Sequence, residues 1–171
     1  MTAAAESSGG SMSKQRATAS SWPHKPMPDG RKELLLDGRY TRAEFVTISQ
    51  GLVPQSPADK WFIYLEGQWL YFHRSASGSC IFQLQIAPDD EGYAADLLLV
   101  NQDPHQYRSL ADEYDVALVS YLIDASLLGR FVPFPQPEQF AQDDHAKHQE
   151  HVMGQDSSDG GLSLRVVNGN R

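Results

Sequence analysis

Apolar and polar residues alternate through the middle of the chain in short runs that are separated by turns. Two aromatic-rich runs, Trp61–Glu66 and Trp69–Arg74, lie on either side of a two-residue link that begins with Gly67. Aromatic and branched residues suit a pleated strand, and a glycine at this position supplies the positive φ of a type II′ hairpin turn. The pattern therefore predicts an antiparallel hairpin. Its register pairs Glu66 with Trp69, Leu65 with Leu70, Tyr64 with Tyr71, Ile63 with Phe72 and Phe62 with His73.

The predicted register divides the side chains of this hairpin between two faces. One face is oily and the other is aromatic with polar tips, because successive residues of a strand point to opposite sides. The oily face carries Trp61, Ile63, Leu65, Leu70, Phe72 and Arg74, and the aromatic face carries Phe62, Tyr64, Glu66, Trp69, Tyr71 and His73.

A third and a fourth strand follow the hairpin. Apolar residues alternate along Cys80–Ile86, and Tyr93–Val100 ends in a continuous apolar run. The turn before the third strand leaves two alternatives open. A symmetric four-residue loop, which we favour, adds the Phe82 stripe to the aromatic face, whereas a bulge moves that stripe to the oily face.

Two helices are predicted on either side of these strands. Thr41 and Glu44 have the spacing of a capping box, so a short helix should begin near Arg42 and end near Gly51. A longer helix should follow the capping pattern at Ser109–Asp112, since apolar residues recur there at three- and four-residue spacings. Its acidic residues are expected on a solvated face.

Together these elements predict an α+β fold: a four-stranded antiparallel meander, flanked by a short N-terminal helix and a long C-terminal helix, with disordered tails. The domain should span residues 30–135. Residues 1–29 are predicted as a disordered tail because they lack hydrophobic periodicity, and residues 136–171 as a flexible polar tail. Phe131–Pro135 is expected to lie as an extended strap on apolar surface.

Composition limits the classes of partner. The net charge is −8 and no run of lysine and arginine occurs, which argues against nucleic-acid and membrane-surface binding. No apolar stretch suits a signal peptide or a membrane span. The single cysteine, Cys80, cannot form an internal disulfide, and it is predicted as a small buried hydrophobe in a protein of the cytoplasm. Oligomeric state is not indicated.

Two histidine-containing segments invite a chemical interpretation. His145, His148 and His151 follow no zinc-site pattern, so we predict no metal and no cofactor. The turn after the hairpin is more informative, because a guanidinium, hydroxyls and turn amides there could hold a small anion. The candidate ligand-binding residues are Tyr71, His73, Arg74, Ser75 and Ser77.

The alternative interpretation of this turn is structural. Its serines would then satisfy local backbone groups and Arg74 would pair with an acid. Acid–base chemistry at His73 would need a carboxylate partner, and Glu66 lies at the opposite end of the hairpin, about 20 Å away at the rise of a strand. No catalytic residue is therefore assigned.

The run K-W-F-I-Y-L-E-G-Q-W-L-Y-F-H-R-S, with G-S-C-I-F and N-Q-D-P-H-Q-Y after it, resembles an uncharacterised bacterial domain family. The typical run of that family is close to W-x-I-Y-x-E-x-x-W-L-Y-F-H-R-S-W-T-G. The resemblance covers about residues 60–129, and Ala76-Ser77 stands where the family has Trp-Thr. It implies a bacterial protein and no particular activity.

Two functions are consistent with these patterns. The first is a non-enzymatic binding or accessory module, whose aromatic sheet face and His-Arg-Ser turn take a protein partner or a small anionic ligand. The second is a small hydrolase or transferase for a phosphate-bearing substrate, with Arg74 as anion clamp and His73 as acid–base group. A deep pocket that holds both residues and a carboxylate would favour the enzyme.

Overall fold

The fold is α+β in a computed structural model, which describes residues 15–136. Within these residues the chain forms one five-stranded antiparallel sheet, in the spatial order β1-β5-β4-β3-β2, and two helices. The elements are β1 (Arg31–Tyr40), α1 (Arg42–Gln50), β2 (Trp61–Glu66), β3 (Trp69–Arg74), β4 (Cys80–Asp89), β5 (Gly92–Asn101) and α2 (Asp112–Tyr121), which continues as a π-helical segment (Leu122–Leu127).

The predicted hairpin is confirmed in every pair. β2 and β3 are antiparallel, from Glu66 opposite Trp69 to Phe62 opposite His73. Gly67 has a φ of 63°, in the left-handed region that the two-residue turn requires. The register was predictable because a loop of two residues leaves the strands no freedom to slide.

The prediction of four strands was wrong, because β1 forms a fifth strand at the edge of the sheet beside β5. Its sequence, RKELLLDGRY, has no clean alternation, and Asp37-Gly38 has the composition of a turn. The structure accommodates these two residues in an irregularity of the β1–β5 register between Leu35 and Gly38. The strand therefore continues through a sequence that is typical of a break.

The symmetric loop before β4 was also the wrong choice. Phe72 pairs with Phe82 and His73 with Cys80, so β4 has one extra residue at this point. The bulge places Phe82 and Leu84 opposite Phe72 and Leu70, on the oily face. One added residue is enough to reverse the predicted face, because side chains alternate with a period of two.

The short helix α1 has the predicted capping box, but it is not the first element of the fold. Thr41 Oγ1 accepts from the amide of Glu44 at 3.0 Å, and Glu44 Oε1 accepts from the amide of Thr41 at 2.9 Å. The helix ends at Gly51, as predicted, and Gly51 has a φ of 69°. Because β1 precedes it, α1 connects the edge strand to the hairpin instead of flanking the sheet at its N-terminus.

The long helix begins at Asp112, at the end of the predicted capping pattern, and lacks the predicted cap. Ala111 occupies the N-cap position and no side chain caps the helix, since the Ser109 hydroxyl donates instead to the carboxylate of Asp115. Asp115 also accepts from Tyr107 Oη at 2.7 Å and lies 3.1 Å from Lys32 Nζ. Its side chain is fully buried, so the expectation of a solvated acidic face fails at this residue. These contacts join α2 to β1 and satisfy a charge that would be costly to bury alone.

The main core lies between the helices and the oily face of the sheet. Phe72 and Phe82 are fully buried there with ring centroids 6.0 Å apart, and Leu118, Leu122 and Ile123 come from the helical segment above them. Phe134 is buried beside Tyr121, as expected for the extended segment Phe131–Pro135, whereas Phe131 is fully exposed. No helix within residues 15–136 is long and apolar enough to cross a membrane.

The aromatic face of the sheet is covered by residues 15–29, which the sequence predicted as part of a disordered tail. This segment, here called the N-terminal strap, has no helix or strand, yet its backbone bonds to the rest of the fold at both ends. Ala17 N–H donates to Gln50 O and Lys25 N–H donates to Gly78 O, both at 2.8 Å. Between them, Trp22 Nε1 donates to Ser75 O at 2.9 Å. The disorder prediction therefore fails for residues 15–29.

Two glycines make room for the N-terminal strap. A Cβ on Gly51 would lie 2.8 Å from Ala17 Cβ, and a Cβ on Gly78 would lie 3.0 Å from His24 Cα. Both residues also have positive φ, which disfavours any side chain. The strap is thus fitted to the fold at two separate positions.

Of the predicted C-terminal tail, all residues after Gln136 lie outside the described part of the chain, as do residues 1–14.

Replacing Trp22 with Ala should lower the free energy of unfolding by about 1–2 kcal/mol. The change removes the bond to Ser75 O and part of the apolar cover over Phe62. Urea unfolding of the two proteins measures this difference. Phe131→Ala is the control, because its fully exposed side chain should contribute under about 0.5 kcal/mol. Equal stabilities of Trp22→Ala and the parent would show that the strap is not held in solution.

Candidate functional site

A cavity of about 390 Å³ lies between the N-terminal strap and the aromatic face of the sheet. We call it the aromatic-face cavity. The strap and the start of β1 form one side, and strands β2, β3 and β4 form the other. Its lining residues are His24, Lys25, Pro26, Met27, Arg31, Tyr64, Tyr71, His73 and Gln83. The bulge in β4 and the hairpin register bring these strand residues to one face.

His73 is the most constrained polar group in this cavity. The residue is 1% exposed, and its Nδ1 lies 2.9 Å from the carbonyl oxygen of Gly78. Because a carbonyl only accepts, Nδ1 carries the proton and donates. Nε2 is then an acceptor, and it has no hydrogen-bond partner within the described residues. A buried acceptor without a donor is costly, so it marks a position that a ligand can satisfy.

The electrostatic surroundings keep His73 neutral. Burial lowers its pKa from 6.5 to about 4; the bond to Gly78 O acts in the opposite direction, and His24 adds a small lowering effect. The imidazole is therefore uncharged at neutral pH. Its Nε2 lone pair stays available to accept a hydrogen bond, whereas a proton donor role at pH 7 is disfavoured.

Aromatic rings surround His73 on several sides. Tyr64 stacks on Tyr71 with centroids 4.8 Å apart, and the His73 ring is nearly parallel to Tyr64 at 5.8 Å. His24, from the strap, meets His73 edge-on at 4.7 Å. Burial raises the pKa of Tyr64 to about 12 and also raises that of Tyr71. Both phenols consequently remain protonated at pH 7, and their hydroxyls are able to donate.

The charge lining the cavity is opposite in sign to that of the chain as a whole. Lys25 and Arg31 contribute two cations and no carboxylate lines the cavity, although the net charge of the chain is −8. Neither cation pairs with an acidic side chain among residues 15–136, in contrast to Lys32, Arg39 and Arg130. The cavity is therefore locally positive and suits an anionic group.

The predicted site residues lie on both faces of the sheet. Tyr71 and His73 line the aromatic-face cavity, whereas the Arg74 guanidinium lies over the Trp61 ring, 5.1 Å from its centroid, on the oily face. Burial lowers the pKa of Arg74, and the nearby Tyr107 partly offsets this effect. The structure thus brings His73 and Tyr71 together, and it separates Arg74 from both.

The two candidate serines make local contacts in the turn. Ser75 Oγ donates to Asp59 O at 2.6 Å, and Ser77 Oγ accepts from the amide of Ser79 at 3.2 Å. Neither residue lines the aromatic-face cavity. Their geometry matches the structural interpretation of the turn, in which serine hydroxyls satisfy nearby backbone groups.

Four charged or aromatic lining residues were not predicted from the sequence: His24, Lys25, Arg31 and Tyr64. Three of them lie on the strap or at the start of β1, the two segments whose structure was predicted incorrectly. Trp22-Pro23-His24 supplied the available signal, since a tryptophan and a histidine are unusual in a segment without a role in the core. Tyr64 was placed correctly on the aromatic face but was not selected.

A second cavity, of about 890 Å³, opens near the start of the strap. Its walls include Arg16, Asp59, Lys60 and Trp61, together with Ala125 of the π-helical segment. No buried polar side-chain atom without a partner faces it among the described residues, since the one such atom is His73 Nε2. The structure offers no comparable sign of a ligand there.

Metal coordination has no candidate in residues 15–136, where no three histidine, cysteine or acidic side chains are grouped to hold an ion. His145, His148 and His151 lie outside the described residues. Cys80 is buried as predicted, and burial raises its pKa to about 12.

No protein-family model, curated protein or solved structure matches the chain. The resemblance to a bacterial domain family stays a prediction.

Proposed function

We propose that the protein is a non-enzymatic binding module that takes a small organic ligand in the aromatic-face cavity. The observation that carries this proposal is His73, a residue of the cavity wall whose buried Nε2 has no hydrogen-bond partner among residues 15–136. A ligand hydroxyl or N–H would satisfy it, and the ligand would pack against the neighbouring rings. The cytoplasm is the compartment that we propose, because a lone buried cysteine is at home in a reducing environment.

The arrangement supports binding better than acid–base catalysis. A general base is most effective when its pKa lies near the working pH, and the pKa of His73 is lowered to about 4. Its Nδ1 bonds to a backbone carbonyl, so no carboxylate raises its basicity. The anion clamp of the predicted hydrolase or transferase is also missing from the cavity, since Arg74 lies on the other face.

A protein partner on a flat aromatic patch is less well supported than a small ligand. The strap already covers Phe62, which is fully buried, and Tyr64 is 5% exposed. What remains open on this part of the sheet is a concave space bounded by strap residues. Concave sites with an apolar lining and a few directed polar groups are typical of small-molecule binding.

Phenol is the probe that tests this proposal, because it is a flat ring with one hydroxyl donor. We expect saturable changes in the NMR resonances of Tyr64, Tyr71 and His73, with a dissociation constant of about 1 mM, as is usual for a ligand of this size. Anisole, in which the donor is methylated, should bind at least about tenfold more weakly, because it leaves Nε2 unsatisfied.

His73→Phe is the matched variant, since it retains a ring and removes the acceptor. It should bind phenol and anisole equally weakly. A circular dichroism melt establishes that the variant is folded. Equal binding of phenol and anisole by the parent protein, or no binding of either, would contradict the proposal.

A further inference from the structure

We infer that the ligand of the aromatic-face cavity is an aromatic organic anion with a hydroxyl group, which is bound by His73 and by Lys25 and Arg31. This inference rests on the proposed function and specifies the class of ligand. It follows from the separate placement of one acceptor and several donors around the same cavity.

The His73 ring supplies the hydrogen-bond acceptor of the cavity. Among residues 15–136, Nε2 is the one buried polar side-chain atom without a partner, and a donor on the ligand would satisfy it. The carbonyl oxygen of Gly78 accepts two hydrogen bonds here, one from His73 Nδ1 at 2.9 Å and one from the Lys25 amide at 2.8 Å. One carbonyl thus orients the imidazole and anchors the cation-bearing strap beside it, so both parts are positioned before a ligand binds.

Lys25 and Arg31 determine the charge of the ligand. Lys25 and Arg31 are exposed side chains that line the cavity, and within residues 15–136 neither has a carboxylate partner. The phenol hydroxyls of Tyr64 and Tyr71 supply further donors. An anionic group offers acceptors to all of these, whereas a neutral ligand would leave both cations unpaired.

Aromatic rings of the cavity, together with Pro26 and Met27, would contact the body of the ligand. The His24, Tyr64 and Tyr71 side chains form an aromatic lining, with the Gln83 amide as an additional polar group. A flat ring packs well against such a lining, and methionine adapts to its shape. The anion of the ligand is a carboxylate or a phosphate ester, which share this chemistry.

A titration with matched probes tests the inference on the full chain at pH 7 and low salt. 4-Hydroxybenzoate carries both groups, phenol lacks the anion, and 4-methoxybenzoate lacks the donor. We expect 4-hydroxybenzoate to bind at least tenfold more tightly than phenol or 4-methoxybenzoate. This advantage over phenol should shrink in 0.5 M NaCl, because the two cations are exposed to solvent.

The variant Lys25→Gln/Arg31→Gln separates the inference from the proposed function. It should bind 4-hydroxybenzoate only as tightly as phenol, while its affinity for phenol equals that of the parent. A third arm uses 4-hydroxyphenyl phosphate: tighter binding than 4-hydroxybenzoate identifies a phosphate ester as the anion, and weaker binding identifies a carboxylate.

Equal affinity of the parent for phenol and 4-hydroxybenzoate would overturn the inference and leave the proposed function standing. A 4-hydroxybenzoate affinity that is unchanged in the double variant would also overturn it, because the anion would then bind elsewhere. If neither phenol nor 4-hydroxybenzoate binds, the proposed function fails and the inference fails with it.

Discussion

Replacing Phe72 with Ala should lower the free energy of unfolding by about 3–5 kcal/mol. Phe72 is fully buried at the centre of the oily face, where its ring meets Phe82 edge-on. Truncation would remove a large apolar side chain and leave a cavity between the sheet and α2, which the surrounding strands cannot easily close. Urea unfolding, followed by tryptophan fluorescence, measures the change.

Leu35→Ala provides the matched comparison. Leu35 also lies in a strand, but its side chain is 84% exposed, so truncation should change stability by less than about 0.5 kcal/mol. If Phe72→Ala cost under about 1 kcal/mol, the oily face would not be the covered face of the sheet. The difference between the two variants therefore tests the packing of the fold and not merely the loss of apolar area.

The parts of the fold that could be predicted from the sequence are the ones specified locally. The β2–β3 hairpin depends on a two-residue turn at Gly67, and α1 depends on the capping box of Thr41 and Glu44. In each case, residues within a few positions of one another determine the geometry. Tertiary contacts were not needed to predict either element.

The incorrect predictions concern features that distant residues decide. β1 is a strand because β5 supplies its hydrogen-bond partners, even though Asp37-Gly38 resembles a turn. The N-terminal strap is ordered because Gln50, Ser75 and Gly78 accept its hydrogen bonds. The bulge in β4 adds a single residue, and nothing in the local sequence indicates it.

The candidate site was predicted in part. His73 and Tyr71 lie in the cavity, and the alternation of the strand had already placed both on the aromatic face. The same alternation places Arg74 on the other face, so grouping it with His73 relied on sequence adjacency rather than on strand geometry. Lys25 and Arg31, the cations that do line the cavity, come from segments whose position depends on tertiary contacts.

Acidification should destabilise the protein through His73. The folded-state pKa of this residue is about 4, against 6.5 for an unperturbed histidine, so between these pH values the unfolded chain binds a proton that the folded protein does not. Stability is therefore fully present above pH 6.5 and falls as the pH drops toward 4. The loss attributable to His73 amounts to about 3 kcal/mol at pH 4, because each unit of pKa difference corresponds to about 1.4 kcal/mol.

Urea unfolding at a series of pH values, with the parent and His73→Phe side by side, isolates this contribution. Other groups titrate in the same range, including Glu44, whose pKa is lowered by its bond to the Thr41 amide and by Arg130. Their effects are common to both proteins and cancel in the comparison, so the free energy of unfolding of the parent relative to His73→Phe should fall by about 3 kcal/mol between pH 7.5 and pH 4. A difference between parent and His73→Phe that does not vary with pH would show that the imidazole is solvated in the folded protein.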